Sequence, residues 1–311
     1  MEFVLALLLQ SGRAAVELVL FVLLPVMIVM LTLMRLLEAR GVLDWLVARV
    51  APLLRPFGLT GLGVFAALQV NFVSFAAPLA TLTLMEQRGT SNRHLAATLA
   101  MVLAMAQANA SFPMAALGLK LGPVLLFSML GGLAAAAATY YGFGRGLSAE
   151  EHVLDETLQH PAAEGTKGVL DVINRAGAEA LRIAMGALPM LVISLMVVAS
   201  LRASGVIAAL THLLSPVLSA LSINELLVLP ALTKYIGGGT AMMGVMDELL
   251  RSHQISVELM NRSIGFLLHP LDIPGVAVLI TAGPRLGAVW RPAVLGACVG
   301  VLLRTAGHAF W

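Results

Sequence analysis

The chain has 311 residues, of which 59% are hydrophobic and 12% are charged, with a formal net charge of +2 and a mean hydropathy of +0.93. Soluble domains carry roughly 25% charged residues, so this composition excludes an ordinary soluble protein and indicates several membrane spans. The low net charge, and the lack of aromatic residues interleaved with a Lys/Arg cluster, exclude a nucleic-acid surface.

The N-terminus and the apolar runs come first in chain order. The first ten residues, MEFVLALLLQ, lack the basic start and the small-residue cleavage site of a signal peptide. We therefore predict that residues 1–10 stay in the protein as an interfacial helix. Four charge-free runs are each about long enough to cross ~30 Å of hydrocarbon. They are residues 18–34, 95–119, 121–144 and 183–201.

An internal duplication organises the rest of the chain. Pro25, Gly41 and Pro52 recur 164 residues later as Pro189, Gly205 and Pro216. A second set recurs 161 residues later: Met85, Pro113, Gly122 and Pro123 correspond to Met246, Pro274, Gly283 and Pro284. We predict a segment 1–10, a first repeat 11–144, a polar exposed linker 145–172 and a second repeat 173–311.

Each repeat shows the same predicted element order. A spanning helix is followed by an amphipathic interfacial piece broken by a proline, a re-entrant hairpin, an interrupted helix and a final span. In repeat one these are residues 16–37, 42–57, 61–85, 95–119 and 121–144; in repeat two they are 180–201, 206–221, 226–250, 263–283 and 292–308. The fold class is therefore an all-α integral membrane protein with two repeats. Three spans per repeat is an odd number, so the repeats have inverted topology.

The basic residues predict the orientation. On this topology twelve Lys and Arg residues share one side and seven the other. The larger set is Arg35, Arg40, Arg49, Arg55, Arg88, Arg93, Arg145, Lys167, Arg175, Arg182, Arg285 and Arg291; the smaller is Arg13, Lys120, Arg202, Lys234, Arg251, Arg262 and Arg304. Cytoplasmic loops carry the excess of basic residues, which favours a cytoplasmic linker.

The helix breaks are the best pointers to a functional site, because unpaired backbone groups in hydrocarbon cost several kcal/mol unless protein or water satisfies them. The first interrupted helix carries Gln107, Asn109 and Ser111, and the second carries His269 and Asp272. Two interpretations of Asp272 remain open. It caps the half-helix that starts at Ile273, or it also binds substrate, a proton or a cation.

The two hairpins are predicted to form the wall of the site that faces the interrupted helices. The polar residues are Gln69, Asn71 and Ser74 in the first, and Lys234, Thr240 and Asp247 in the second. The glycines at 237–239 either present backbone N–H groups to a solute or form a tight tip. Lys234 either lines the site or snorkels to the interface. The predicted substrate-binding set is Gln69, Asn71, Ser74, Gln107, Asn109, Ser111, Gly238, Gly239, Thr240, His269 and Asp272.

Sequence motifs argue against an enzyme. The chain contains no HExxH, no GxSxG and no Walker A loop, and it has no acidic cluster suited to two metals. We predict no catalytic residue, no metal site and no cofactor. The single cysteine, Cys298, lies in an apolar segment and is predicted to be a buried, inert thiol.

The second half, through ALRIAMGALPMLVISLMVVASLRASGVIAAL and SPVLSALSINELLVLPALTKYIGGGTAMMGVMDELLRSH, resembles the Gate, or nucleoside-recognition, membrane domain. That domain occurs in bacterial inner-membrane proteins, in spore maturation proteins A and B, in concentrative nucleoside transporters and in the membrane part of ferrous-iron transporter B. The first half looks like a more diverged copy. The resemblance implies a transporter-like inverted repeat with two re-entrant hairpins and two interrupted helices.

The function that this resemblance implies is secondary transport of a small polar solute, nucleoside-like among the candidates, across the bacterial inner membrane. Coupling to H⁺ or Na⁺ would act through Asp272. The alternatives are a non-transporting membrane subunit or scaffold that partners another protein, a divalent cation carrier and, more weakly, an intramembrane enzyme. The expected partners are a small molecule or ion and the lipid bilayer. Gly131, Gly132 and the alanines at 134–138 would allow a homodimer or a second Gate-family subunit, or would pack inside one subunit.

Overall fold

The structure, a computed structural model, describes residues 2–150, 168–220 and 222–311, and every regular element within them is helical.

The first span is longer than the sequence predicts. Helix α1 (Glu2–Glu17) continues through a π-helical turn (Leu18–Leu23) into α2 (Leu24–Ala39). Together they provide a 35-residue apolar span, Leu5–Ala39. Residues 2–10, predicted as an interfacial segment, continue the helix of this span.

A bent helix pair follows the first span. Helix α3 (Val42–Leu54) begins after Gly41 and runs into a 3₁₀ turn (Arg55–Phe57), and α4 (Gly61–Phe72) leaves at 104° to this pair. On α3 the guanidinium of Arg49 lies 5.7 Å from the ring of the exposed Trp45. This pairing is typical of a helix in the membrane interface.

The predicted break at the interfacial prolines is wrong. Pro52 lies inside α3, and Pro216 lies inside α10 (Val206–Ala220). A proline removes one backbone hydrogen bond, and in both helices the chain leaves the helix only a few residues later. The glycines before these helices are equivalent as well, since Gly41 and Gly205 have φ of 68° and 76°.

Helices α4 and α5 (Pro78–Gln87) form the first hairpin. The two helices pack against each other across the loop of residues 73–77. The Thr81 hydroxyl donates to Gln69 Oε1 at 2.7 Å, which ties the two arms together. The predicted hairpin at residues 61–85 is therefore present.

The interrupted helices have the same design in both repeats. In the first, α6 (Asn92–Ala104) and α7 (Ala108–Ala115) flank residues 105–107; in the second, α12 (Val257–Leu267) and α13 (Ile273–Ile280) flank residues 268–272. Ser91 Oγ accepts from His94 N at the start of α6, and Ser256 Oγ accepts from Leu259 N at the start of α12. The duplication in the sequence is thus matched in local structure.

The remaining helices complete the two repeats. They are α8 (Leu121–Ala137) with its π-helical extension (Ala138–Phe143), α9 (Val169–Ala203), α11 (Val228–Arg251) after a 3₁₀ turn (Glu225–Leu227), and α14 (Pro284–Ala309). Helix α11 is interrupted at Gly238, where φ is 82° and ψ is 175°, so the predicted break at 237–239 is confirmed. Six helices within the described residues are long and apolar enough to cross a membrane. One of them is Glu225–Arg251, which covers the segment where the sequence predicts a second re-entrant hairpin.

The breaks lie in the centre of the molecule. Helix α14 packs on α6, α8 and α12, while α9 packs on α1, α2 and α11. Residues 95–104 of α6 are all buried, so the break after Ala104 opens into protein on every side. Gly131 and Gly132 of α8 face Arg304 and Met105, respectively, so they pack inside the subunit.

Two further predictions concern the environment of Cys298 and the bounds of the linker. Cys298 is exposed on α14, so the predicted buried thiol is wrong. Its neighbours Ala297 and Gly300 are buried and take the inward face of the helix. Of the predicted linker 145–172, residues 151–167 lie outside the described residues, and α9 already begins at Val169.

Candidate functional site

The second helix break is held by a buried ion pair. Asp272 Oδ2 lies 2.6 Å from Lys234 Nζ, and the two side chains are 3% and 0% exposed. Asp272 Oδ1 accepts a hydrogen bond from Gly275 N at 2.6 Å. The interpretation of Asp272 as the cap of α13 is therefore confirmed. Lys234 does not snorkel to the interface, because its side chain ends inside the protein.

His269 forms hydrogen bonds with the backbone of the same break. Its Nδ1 accepts from Leu271 N at 3.2 Å, which leaves Nε2 to donate to the Phe266 carbonyl at 3.0 Å. The ring is fully buried and lies 6.3 Å from the ring of Tyr235, measured between centroids. Both ring nitrogens are thus used within the break.

The interruption of α11 lies beside the second helix break. A Cβ placed on Gly238 would lie 3.9 Å from both carboxylate oxygens of Asp272. The combination of φ 82° and ψ 175° at Gly238 is essentially restricted to glycine. The backbone of α11 can therefore break beside the ion pair without a side chain in the way.

The first helix break contacts the next residue of α11. A Cβ on Gly239 would lie 1.6 Å from Gln107 Nε2, so the Gln107 amide occupies the space that Gly239 leaves open. Gln107 Nε2 is buried and has no hydrogen-bond partner among the described residues. Ser111 Oγ donates to the Gln107 carbonyl at 2.8 Å, which fixes the first turn of α7.

Asn109 links three elements. Its Oδ1 accepts from Phe75 N, in the tip of the first hairpin, at 3.3 Å. Its Nδ2 donates to Thr240 Oγ1, just past the interruption of α11, at 3.2 Å. One amide therefore connects the first hairpin, the first interrupted helix and α11.

Asn71 reaches the first break from the other side. Ser128 Oγ donates to Asn71 Oδ1 at 2.7 Å and accepts from Ala106 N, inside the break, at 2.7 Å. Asn71 Nδ2 lies 3.6 Å from Met105 Sδ. Ser74 Oγ accepts from Ala77 N within the hairpin tip. Gln69 bonds to Thr81 and faces a separate cavity.

The structure therefore brings some of the predicted site residues together and places others elsewhere. It brings six of them together around the interruption of α11: Gln107, Asn109, Gly238, Gly239, Thr240 and Asp272. Ser74, Ser111 and His269 bond to nearby backbone, and Asn71 supports the first break through Ser128. Gln69 lies apart from this centre, and Asp247 pairs with Arg251 at 2.8 Å in an exposed turn of α11.

Two residues that belong to the central region were not in the predicted set. Lys234 pairs with Asp272, and Arg304 Nη1 donates to the carbonyl of Ala104, the last residue of α6, at 2.6 Å. Arg304 is fully buried, and its Nε and Nη2 have no partner within the described part of the chain. The signal was in the sequence: Arg304 is an ionisable residue inside an apolar run, which marks a functional-site candidate.

The centre can bind a polar solute by exchanging its internal contacts. Gln107, Asn109 and Thr240 offer donors and acceptors, and Lys234 and Asp272 offer a balanced pair of charges. The half-helix that starts at Ala108 also has no side-chain cap on its first N–H groups. In the structure the Asn109 amide bonds to Phe75 and Thr240, and Lys234 pairs with Asp272. A solute would have to replace these contacts, so it needs the elements to separate.

Comparison with known proteins gives a family match and a fold. Residues 20–123 match the Gate family, described as nucleoside recognition. The match lies in the first repeat, while the resemblance found from the sequence rested on the second. No curated protein matches the chain.

Solved structures of a concentrative nucleoside transporter, CNTnw, have the same fold. Its inward-facing, substrate-bound structure has a TM-score of 0.69 at 17% identity, covering 99% of this chain and 82% of that one. A variant in an outward-facing state also scores 0.69, at 18% identity, with coverage of 93% and 75%. A variant in an intermediate state scores 0.68 at 16% identity, covering 99% and 84%. The chain is a multi-pass membrane protein whose residues 20–123 are similar to the Gate family, and its fold is that of the concentrative nucleoside transporter structures.

Proposed function

We propose that this protein is a secondary transporter that moves a small polar solute, nucleoside-like in its size and hydrogen-bonding groups, across the bacterial inner membrane. The observation that carries the proposal is the meeting of both helix breaks at Gly238 and Gly239. Asp272 lies beside the first glycine, and Gln107 packs on the second. Broken helices at membrane depth are tolerated where they are buried in protein or line a wet path.

Asn109 provides the exchangeable contacts. Its amide bonds to the first hairpin and to α11 at 3.3 and 3.2 Å, lengths typical of weak hydrogen bonds. When the hairpin separates from α11, the amide is free to bind a hydroxyl or a ring nitrogen of the solute. Coupling to H⁺ or Na⁺ would act on Asp272, whose carboxylate already holds the ammonium of Lys234.

The fold supports movement between two access states. The CNTnw structures are in outward-facing, intermediate and inward-facing states. The chain has the same fold, with two repeats and interrupted helices, so one half can move against the other around a central site. A nucleoside-like solute is the class that the Gate description and these neighbours favour.

The distribution of basic residues between the two sides of the membrane supports a cytoplasmic linker. Lys234 and Arg304 are fully buried, so they are not counted among the charges at the membrane surface. The smaller set of seven Lys and Arg residues then retains five, against twelve on the side of the linker. This asymmetry favours the linker side as the cytoplasmic side.

Uptake into proteoliposomes tests the proposal. Labelled nucleosides, nucleobases and small sugars are offered to vesicles with purified protein, with and without H⁺ and Na⁺ gradients. We expect gradient-dependent uptake of at least one solute, strongly reduced by Asn109→Ala. Asn224→Ala is the matched control, because Asn224 is an exposed cap at the 3₁₀ turn before α11.

The outcome distinguishes a transporter from a non-transporting membrane subunit. If folded and correctly inserted protein neither binds nor takes up any of the solutes, the transport proposal is wrong. Co-purification of a stoichiometric membrane partner in that case would support the non-transporting subunit instead.

A further inference from the structure

The first helix break carries a buried positive charge that has no counter-ion among the described residues. Arg304 is fully buried on α14, and Gly131 on α8 leaves the room that its side chain occupies. Its Nη1 donates to the carbonyl of Ala104, where α6 ends, while Nε and Nη2 have no partner within the described part of the chain. A buried guanidinium without an anion is unfavourable. An acceptor with a negative charge would satisfy these N–H groups.

The other end of the same break is the open N-terminus of α7. Residues 105–107 separate Ala104 from Ala108, where α7 begins, and the Gln107 side chain does not cap this helix. Gln107 Nε2 is itself buried, with no hydrogen-bond partner among the residues that the structure describes. The first N–H groups of a half-helix carry a partial positive charge and bind anions. The unpaired groups that flank the break are therefore N–H donors.

The second break contains an anion that the first break lacks. There the half-helix α13 is capped by Asp272, whose Oδ1 accepts from Gly275 N, and Lys234 balances the charge of this carboxylate. In the duplication the residue equivalent to Asp272 is Ser111, 161 positions earlier, which lies inside α7 and bonds to the Gln107 carbonyl. Repeat two thus provides its own anion at the half-helix, whereas repeat one provides a cation and an open half-helix.

The buried charges of the centre have an excess of positive charge. In the described part of the chain, the charged side chains that are buried are Lys234, Asp272 and Arg304. With Asp272 ionised and both bases protonated, their net charge is +1. A monoanion that enters the centre neutralises this charge, whereas a neutral solute leaves it uncompensated.

We propose that the solute of this transporter is an organic monoanion whose carboxylate binds at the first helix break. The carboxylate would accept hydrogen bonds from the first N–H groups of α7, from the Gln107 amide and from the Arg304 guanidinium. Its role there corresponds to that of the Asp272 carboxylate in the second repeat. The identity of the solute rests on the proposed transport function, whereas binding of the carboxylate does not depend on it.

Thermal unfolding with pairs of an acid and its amide, which have nearly the same shape, tests the proposal. Orotate with orotamide, and nicotinate with nicotinamide, are added to the purified protein, because a ligand that binds the folded state raises the unfolding midpoint. We expect at least one acid to raise the midpoint and to bind about tenfold more tightly than its amide. No shift with either acid, an equal shift with its amide, or an equal shift with chloride would overturn the proposal.

Gln107→Glu is the diagnostic variant, because it keeps the shape of the side chain and places a carboxylate of the protein at the break. We expect it to be as stable as the parent and to lose the shift that the acid produces. Gln254→Glu adds the same charge in an exposed turn after α11 and should keep that shift. Full binding of the acid by Gln107→Glu would contradict the site.

Arg304→Gln is a second variant and should weaken binding of the acid about tenfold, because a charge-assisted contact is lost. Its control is Arg262→Gln, which removes a guanidinium that pairs with Glu258 on α12 and should leave binding unchanged. Equal binding of the acid by these two variants would argue against a contact with Arg304.

Uptake of the same four compounds separates this proposal from the transport function. Preferred uptake of an acid over its amide supports both, and the reverse preference refutes this proposal. Uptake of a neutral solute by protein that neither acid stabilises also refutes this proposal alone. Stabilisation by an acid without uptake of any solute, the acids included, refutes the transport function alone.

Discussion

Lys234 and Asp272 are 38 residues apart, yet Lys234 Nζ donates to Asp272 Oδ2 at 2.6 Å with both side chains buried. The pair joins the interruption of α11 to the second helix break. Because Asp272 also caps α13, one carboxylate fixes both the charge balance and the local backbone.

Breaking this ion pair should be costly, because each single change leaves one buried charge without its partner. Asp272→Asn keeps a good helix cap but loses the charge, and we expect a loss of about 3–5 kcal/mol in the free energy of unfolding. Lys234→Met should cost a similar amount. Denaturant unfolding of the purified protein measures both.

The double variant Lys234→Met/Asp272→Asn completes the cycle and should lose clearly less than the sum of the single changes. Glu248→Gln is the control, because it breaks an exposed pair with Arg202 and should cost at most about 1 kcal/mol. Additive losses in the cycle would show that the two buried residues do not stabilise each other.

Gly238→Ala should destabilise the protein through its backbone. An alanine at φ 82° and ψ 175° is strained by about 1–3 kcal/mol, and relief of the strain would straighten α11. The midpoint of thermal unfolding reports the loss. Gly244→Ala in the same helix is the control, since its Cβ would meet only Leu18 at an ordinary 3.6 Å. A Gly238→Ala protein as stable as the control would contradict the interruption at this residue.

Gly239→Ala should act on solute binding through Gln107. The new methyl group would occupy the position of the Gln107 amide, and that flexible side chain would have to leave its place. We expect a larger effect on uptake than on stability. In the Gln107→Ala background the same substitution should have little further effect on stability, which thermal unfolding of the four proteins measures. An equal loss in both backgrounds would argue against the contact.

Gly131→Ala should overpack the interface between α8 and α14. Its Cβ would lie 2.3 Å from Arg304 Cγ and 2.8 Å from the Gly300 carbonyl, so both helices would have to shift. We expect a loss of about 1–3 kcal/mol. Gly122→Ala on the same helix has open space around its Cβ and should be neutral. Unfolding curves that coincide for the two variants would contradict the close approach of α8 and α14.

The helix breaks could be predicted because they follow from local chemistry. Glycines, prolines and polar side chains interrupt apolar runs at 69–78, 107–113, 237–239 and 269–275, and the structure has a break at or next to each of these stretches. The exact ends were harder to place. Helix α6 already ends at Ala104, and Pro113 lies inside α7, because packing against α8 and α14 decides where the chain leaves the helix.

The environment of single side chains could not be predicted in the same way. The sequence is equally consistent with Lys234 in the site and Lys234 at the membrane surface, and it predicts a buried Cys298, which the structure exposes. A long side chain reaches either environment from the same backbone position, and the choice depends on the residues opposite it. For Lys234 that residue is Asp272, and for Cys298 the inward face of α14 is already filled by Ala297 and Gly300.

The membrane environment, the duplication and the approximate positions of the breaks follow from the sequence alone, because hydropathy and backbone chemistry act over short stretches of chain. The partners of the polar groups at those breaks follow from the tertiary structure. Asn109 pairs with Phe75 and Thr240, and Arg304 pairs with the end of α6. These pairings join residues from separate helices, so the packing of the helices decides them.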